Sequence, residues 1–181
     1  MPTDPRLLLK WVASGDIEAL QAADFSNADS AGLATLAVQK DAGAVLALLL
    51  GRCDVEADLL RHLAGIAVLL GHLEALKVIG DQLPRSLHEP DDEGKTLAFL
   101  AASVGRVEVL QLLASAAPVS LGLPNRGGVT PIDVAWHRGY SDCVNLLRGL
   151  GIPDPMERWQ SCCEGEACEP KPVPNAKTVL S

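Results

Sequence analysis

Three cysteines cluster late in the sequence, Cys162, Cys163 and Cys168, among Glu164, Glu166 and Glu169. A thiolate metal site or a redox clip is the chemistry such a cluster offers. Zinc sites usually combine two Cys-x-x-Cys-like pairs, or Cys with His, and no His lies beyond residue 151. Neighbouring carboxylates also raise a thiol pKa and reduce its thiolate fraction. No metal and no other cofactor is therefore assigned, and the three cysteines define an alternative reading, a metal- or thiol-responsive protein. They could also accept a lipid, but neither a terminal CaaX box nor a polybasic neighbour accompanies them. Cys53 and Cys143 lie far apart within helical patterns, which suits reduced thiols in a cytosolic protein better than a disulfide framework. His62, His72, His88 and His137 are scattered, no Ser or Cys sits in a nucleophile motif, and no Gly-rich phosphate loop follows a strand. The expectation is a chain that binds and does not catalyse.

The elements that hold these residues follow from composition. Of 181 residues 48% are hydrophobic but only 3% aromatic. Leu and Ala dominate, so the interior is expected to be aliphatic and helical. A formal charge of -8 and a pI near 4.9 argue against nucleic acid or an anionic membrane as partner, because phosphate binding needs clustered Lys and Arg. The opening stretch, MPTDPRLLLKWVASGD, lacks the basic start and apolar core of a signal peptide. The longest apolar run, 42–50, falls well short of the roughly 20 residues that span a bilayer. A soluble, cytoplasmic and monomeric protein is expected.

Sliding the chain along itself reveals a recurring phrase: a small residue, an apolar and an acidic residue, then a leucine-rich helix. It reads Gly15-Asp16-Ile17-Glu18-Ala19-Leu20, Gly71-His72-Leu73-Glu74-Ala75-Leu76 and Gly105-Arg106-Val107-Glu108-Val109-Leu110, with a looser copy from Gly139 to Val144. Gly71, Gly105 and Gly139 stand 34 residues apart, a solenoid-like period. A fifth copy has Asp41 in the glycine slot, at intervals of 26 and 30 residues from its neighbours. Each unit reads as two short helices, the first ended by a left-handed residue in that slot. Val107, Leu110 and Leu113 make an apolar stripe, with Glu108 and Gln111 facing water. Only a stacked neighbour can bury such a stripe, at about 25 cal/mol per Å² of apolar area.

Asp91-Asp92-Glu93-Gly94-Lys95-Thr96-Leu97-Ala98-Phe99-Leu100-Ala101-Ala102 followed by Gly105, and Asn125, Gly128, Thr130-Pro131-Ile132-Asp133, Ala135 and Gly139 one period later, resemble the ankyrin repeat. Thr130 is placed to cap a helix and Pro131 to open it. The earlier units depart from the pattern: Trp11 stands where Ala is expected, and Gly32 and His62 replace Thr without a following Pro. The resemblance implies an all-α repeat domain over 4–151, in units of about 4–24, 27–51, 57–80, 91–114 and 125–150, with Asp4-Pro5 opening the first helix. Residues 152–181 carry five prolines, five acids and no helical period, and read as a flexible tail.

The resemblance also implies a protein partner across a concave face, touching hairpin tips and the exposed ends of the inner helices. The matching positions are Asp58, Leu59, Arg61, Leu69 and Leu70 in the third unit, Asp92, Glu93, Lys95, Ser103 and Val104 in the fourth, and Arg126, Val129, His137 and Arg138 in the fifth. Leu69 and Leu70 are the sharpest case, forming an exposed apolar patch unless the short second unit covers them. Trp136 either anchors a partner or packs against the tail through Trp159.

Overall fold

A computed structural model describes residues 4–25, 29–53 and 55–156. The described residues form ten α-helices and no strand. These are α1 Pro5–Ser14, α2 Ile17–Ala22, α3 Ser30–Gln39, α4 Gly43–Arg52, α5 Ala57–Leu70, α6 Leu73–Gln82, α7 Leu97–Val104, α8 Val107–Ala116, α9 Pro131–Arg138 and α10 Ser141–Gly149. They pair as hairpins, odd with even. Each odd helix packs on the next odd helix and each even helix on the next even one, so five pairs lie side by side in chain order.

The helix starts are written locally. Asp4, Asp16 and Asp29 accept from Arg6, Ala19 and Gly32 N–H at 2.9, 3.1 and 3.1 Å, and Thr96 Oγ1 accepts from Phe99 N–H at 3.2 Å. Each bond satisfies one of the donors that a helix N-terminus leaves unpaired. Pro5 and Pro131 occupy first turns, where their missing N–H costs nothing. At the second of these, Asp133 accepts from both the backbone N–H and the hydroxyl of Thr130, at 2.8 and 2.7 Å.

The helix ends show the repeat most sharply. Gly15, Asp41, Gly71, Gly105 and Gly139 all take left-handed φ angles, 73°, 51°, 82°, 73° and 76°. Asp41 is the one non-glycine residue with positive φ among those described. In every pair the next residue donates its N–H to the carbonyl four residues before the slot. The bonds run from Asp16, Ala42, His72, Arg106 and Tyr140 to Trp11, Ala37, Ala67, Ala101 and Ala135, at 2.8–3.0 Å. This Schellman closure satisfies an orphan carbonyl and reverses the chain into the second helix.

One apolar cluster runs from Leu8 to Leu147. The alanines at the closing carbonyl, Ala37, Ala67, Ala101 and Ala135, are fully buried, and so short a side chain lets neighbouring odd helices approach closely. Trp11 holds that place in the first pair, half-buried where no described helix packs on its other side. Two 3₁₀ turns, Pro84–Leu87 and Pro118–Leu121, lie beyond the expected ends of the third and fourth units and still enter the core. Leu87 and Leu121 are 6% and 2% exposed, and a Cβ on buried Gly80 would stand 2.8 Å from Leu87 Cδ1. The loops after α6 and α8 are thus part of the packing.

The Asp91 and Asn125 hairpins are equivalent, residue for residue. Asp91 Oδ1 accepts from Glu93 and Lys95 N–H at 2.9 and 2.8 Å, and Asn125 Oδ1 from Gly127 and Val129 N–H, both at 2.9 Å. Arg126 N–H donates to Glu93 O at 3.1 Å and joins one hairpin to the other. Between the first two pairs a guanidinium makes the link. Arg52 donates to Leu20 O and Ala23 O at 3.3 and 3.2 Å and lies 5.9 Å from the Phe25 ring centroid, tying the second pair to the first.

Candidate functional site

The hairpins and the C-terminal ends of the odd helices place the residues implied as partner-facing. At the tips, Asp92 and Arg126 are exposed, Glu93 is exposed and ion-paired with half-buried Lys95, and Val129 is half-buried. In the third pair Asp58 and Arg61 are exposed and ion-paired with each other, and Arg61 reaches Glu89 at 3.7 Å. Leu59 beside them is half-buried against the core.

The helix ends bring a second group together. Leu69 and Leu70 are 44% and 43% exposed, so the second pair does not cover them. Val104 is half-buried, and His137 and Arg138 are exposed. Ser103 is a correction: it is 9% exposed and its hydroxyl donates to Leu100 O at 2.7 Å, so the side chain turns inwards. The carbonyl of Ser103 is used as well, by Arg138 Nη1 at 2.9 Å. Arg106 does the same one pair earlier, donating Nε and Nη2 to Leu69 O at 3.2 and 2.9 Å. Two guanidiniums therefore neutralise carbonyls at the negative ends of α5 and α7. Arg106 thereby sets a cation directly beside Leu69, on a chain whose total charge is -8.

Apart from Arg138, these inter-pair bonds involve residues that sequence reasoning did not select as partner-facing. Arg106 follows its left-handed slot as His72 follows Gly71, and His72 Nδ1 donates to Val38 O at 2.7 Å. Asp41 Oδ1 accepts from Ala75 N–H at 3.2 Å, and the Tyr140 ring lies against Gly105. The shared position directly after the slot was the signal available.

Other polar chemistry is dispersed. His62, His88 and His137 are exposed on separate elements. Among the described residues no three His, Cys, Asp or Glu side chains come together as a metal site would need. Cys143 is fully buried on α10, and that burial, helped by Asp142 and Glu108, raises its thiol pKa. Cys162, Cys163, Cys168 and Trp159 lie outside the described residues. Trp136 is 43% exposed and borders a shallow groove of about 220 Å³ on the last pair. No helix among the described residues is long and apolar enough to cross a membrane. No protein-family model matches the chain, and no curated protein matches it.

Proposed function

We propose that this chain is an ankyrin-type repeat module that binds another protein through the face carrying its hairpin tips and the ends of its odd helices. Five pairs with one Schellman closure, stacked in order, support the repeat reading. The equivalent hairpins at Asp91 and Asn125 support the ankyrin type. The observation that carries the binding function is the exposed pair Leu69 and Leu70. Their counterparts are Gln39 and Lys40 in the second pair, Ser103 and Val104 in the fourth, and His137 and Arg138 in the fifth, so no other of these pairs presents two leucines there. Two leucines left in water beside Arg106 are adverse for a free monomer, and burying them on binding is worth about 25 cal/mol per Å².

Recognition, not turnover, is the work this surface suits. Several of its polar groups are committed to neighbouring carbonyls and ion pairs. A cytoplasmic setting fits the buried thiol of Cys143.

The experiment is affinity capture from the source cells, identified by mass spectrometry, with the intact chain and with L69S/L70S. The double variant is expected to lose the principal partner while its far-UV circular dichroism stays unchanged. Equal capture of that partner by both proteins would remove the leucine patch as the binding site.

A further inference from the structure

Four seams join the five pairs, and three of them are made alike. The residue directly after each later slot reaches back to the pair before: His72 donates to Val38 O at 2.7 Å, Arg106 to Leu69 O at 2.9 Å, and the Tyr140 ring lies against Gly105. At the first seam that position holds Ala42, whose methyl has nothing to donate and no length to reach with. Beside Gly15, accordingly, a Cβ would meet no described atom within 4 Å, although a pair follows it.

The first pair is also the most thinly packed. α2 has six residues where the other even helices have nine or ten, and only Leu8, Val12 and Leu20 of its two helices are buried. The fifth pair is an end as well, yet its helices bury Pro131, Ile132, Ala135, Cys143, Val144 and Leu147, and Arg138 ties it to Ser103 O. The thinness of the first pair is thus its own and not a consequence of standing at an end.

One side chain takes over the missing contact. Arg52, exposed at the end of α4, donates to Leu20 O and Ala23 O at 3.3 and 3.2 Å and lies 5.9 Å from the Phe25 ring centroid. Those carbonyls belong to the end of α2, so a single guanidinium holds the C-terminus of the first hairpin. Beside it, Leu33, Ala37 and Val45 of the second pair are buried, whereas their counterparts Leu7, Trp11 and Ala19, with no described pair before them, are exposed or half-buried. The second pair therefore depends on the first for that cover.

We propose that α1 and α2 undock together from an otherwise closed stack, with Arg52 as the latch. In an array whose stability is a sum of pair and seam contributions, the pair with the smallest core and the weakest seam opens first and alone. Opening bares Leu33, Ala37 and Val45 as an apolar face, and the two Arg52 bonds set how often that face is shown. Water competes for so exposed a guanidinium and for the carbonyls it holds, which keeps the latch weak. The motion is separate from the Leu69–Leu70 face and does not depend on partner binding.

The test is hydrogen exchange of the full-length protein, read by mass spectrometry. Amides of α1 and α2 are expected to exchange about tenfold faster than those of α9 and α10 at the other end, and with a weaker dependence on urea, as for a local opening. R52A should speed α1 and α2 about tenfold further, through two lost bonds from a charged donor, and leave α5 to α10 unchanged. R52K, which keeps the charge without the forked donor, should fall between the two. R106A, which loses the equivalent bond at an interior seam, should leave α1 and α2 at their parental rate. Equal protection of the first and fifth pairs would overturn the proposal, as would faster exchange throughout the chain in R52A. So would loss of the far-UV circular dichroism of R52A, since a pair that opens alone cannot take the stack with it.

Discussion

Gly105 and Gly139 have nearly the same backbone, φ 73° and 76°, and differ in what stands beside them. Alanine at either must take the left-handed conformation, where Cβ crowds the carbonyl oxygen at a cost of about 1 kcal/mol. At Gly139 that is the whole cost met among the described residues, none of whose atoms lies within 4 Å of the new methyl. At Gly105 the methyl would stand 2.7, 2.8 and 3.1 Å from Tyr140 Cδ1, Cε1 and Cγ. Ordinary carbon contacts are about 3.5–4.0 Å, so the ring must retreat by about 1 Å or swing into solvent. Overpacking of this kind costs about 1–3 kcal/mol. G139A is therefore expected to lose about 1 kcal/mol and G105A about 3 kcal/mol, in a difference that measures the seam between the fourth and fifth pairs. Urea unfolding at 25 °C, followed by far-UV circular dichroism, gives both values. Repeating them in a Y140A background should close the gap, as a double-mutant cycle requires of residues in contact. Equal losses for G105A and G139A, or a gap that persists without Tyr140, would refute the account of how neighbouring pairs lock.

Two further outcomes test the same physics elsewhere. Asp41 holds its slot at φ 51° and accepts from Ala75 N–H, so D41G relieves the backbone and loses one bond of about 1 kcal/mol, leaving stability nearly unchanged. D41A keeps the backbone cost and loses the bond, and should lose about 2 kcal/mol in the same urea titration; D41G falling below D41A would contradict this. Burial raises the Cys143 thiol above its ordinary 9.0, so the folded state holds its proton longer than the unfolded chain does. The resulting stability is complete below pH 9.0 and is lost as pH rises towards the folded value. C143A should flatten the alkaline limb of a denaturant midpoint against pH profile, and an unchanged limb would count against the buried thiol.

Much of the fold was legible because it is local. A capping Asp or Thr, a first-turn proline and a left-handed slot act within a few residues, so α1, α7 and α9 can be bounded from their own sequences. The slot at Asp41 was legible too, since position in the repeat marked it where residue type alone would not. The 3₁₀ turns at Pro84 and Pro118 were not legible as core. Their Leu87 and Leu121 look like loop residues until α5, α6, α7 and α8 are in place to receive them.

The candidate surface divides in the same way. Period and slot told which residues of successive pairs are equivalent, and hence that Leu70, Val104 and Arg138 share a row. They did not tell whether Leu69 and Leu70 face water or that Ser103 turns inwards to Leu100 O. Exposure depends on how far the neighbouring pair extends, which no residue encodes by itself. The bonds from Arg52, His72, Arg106 and Arg138 to carbonyls of the pair before cross 29–37 residues of sequence. The amino-acid sequence alone determined the helical period, the caps and the number of pairs, because hydrogen bonds within one or two turns set them. Tertiary structure decided which side chains reach back to lock adjoining pairs and which leucines stay in water, because those outcomes depend on the distance between helices far apart in the chain.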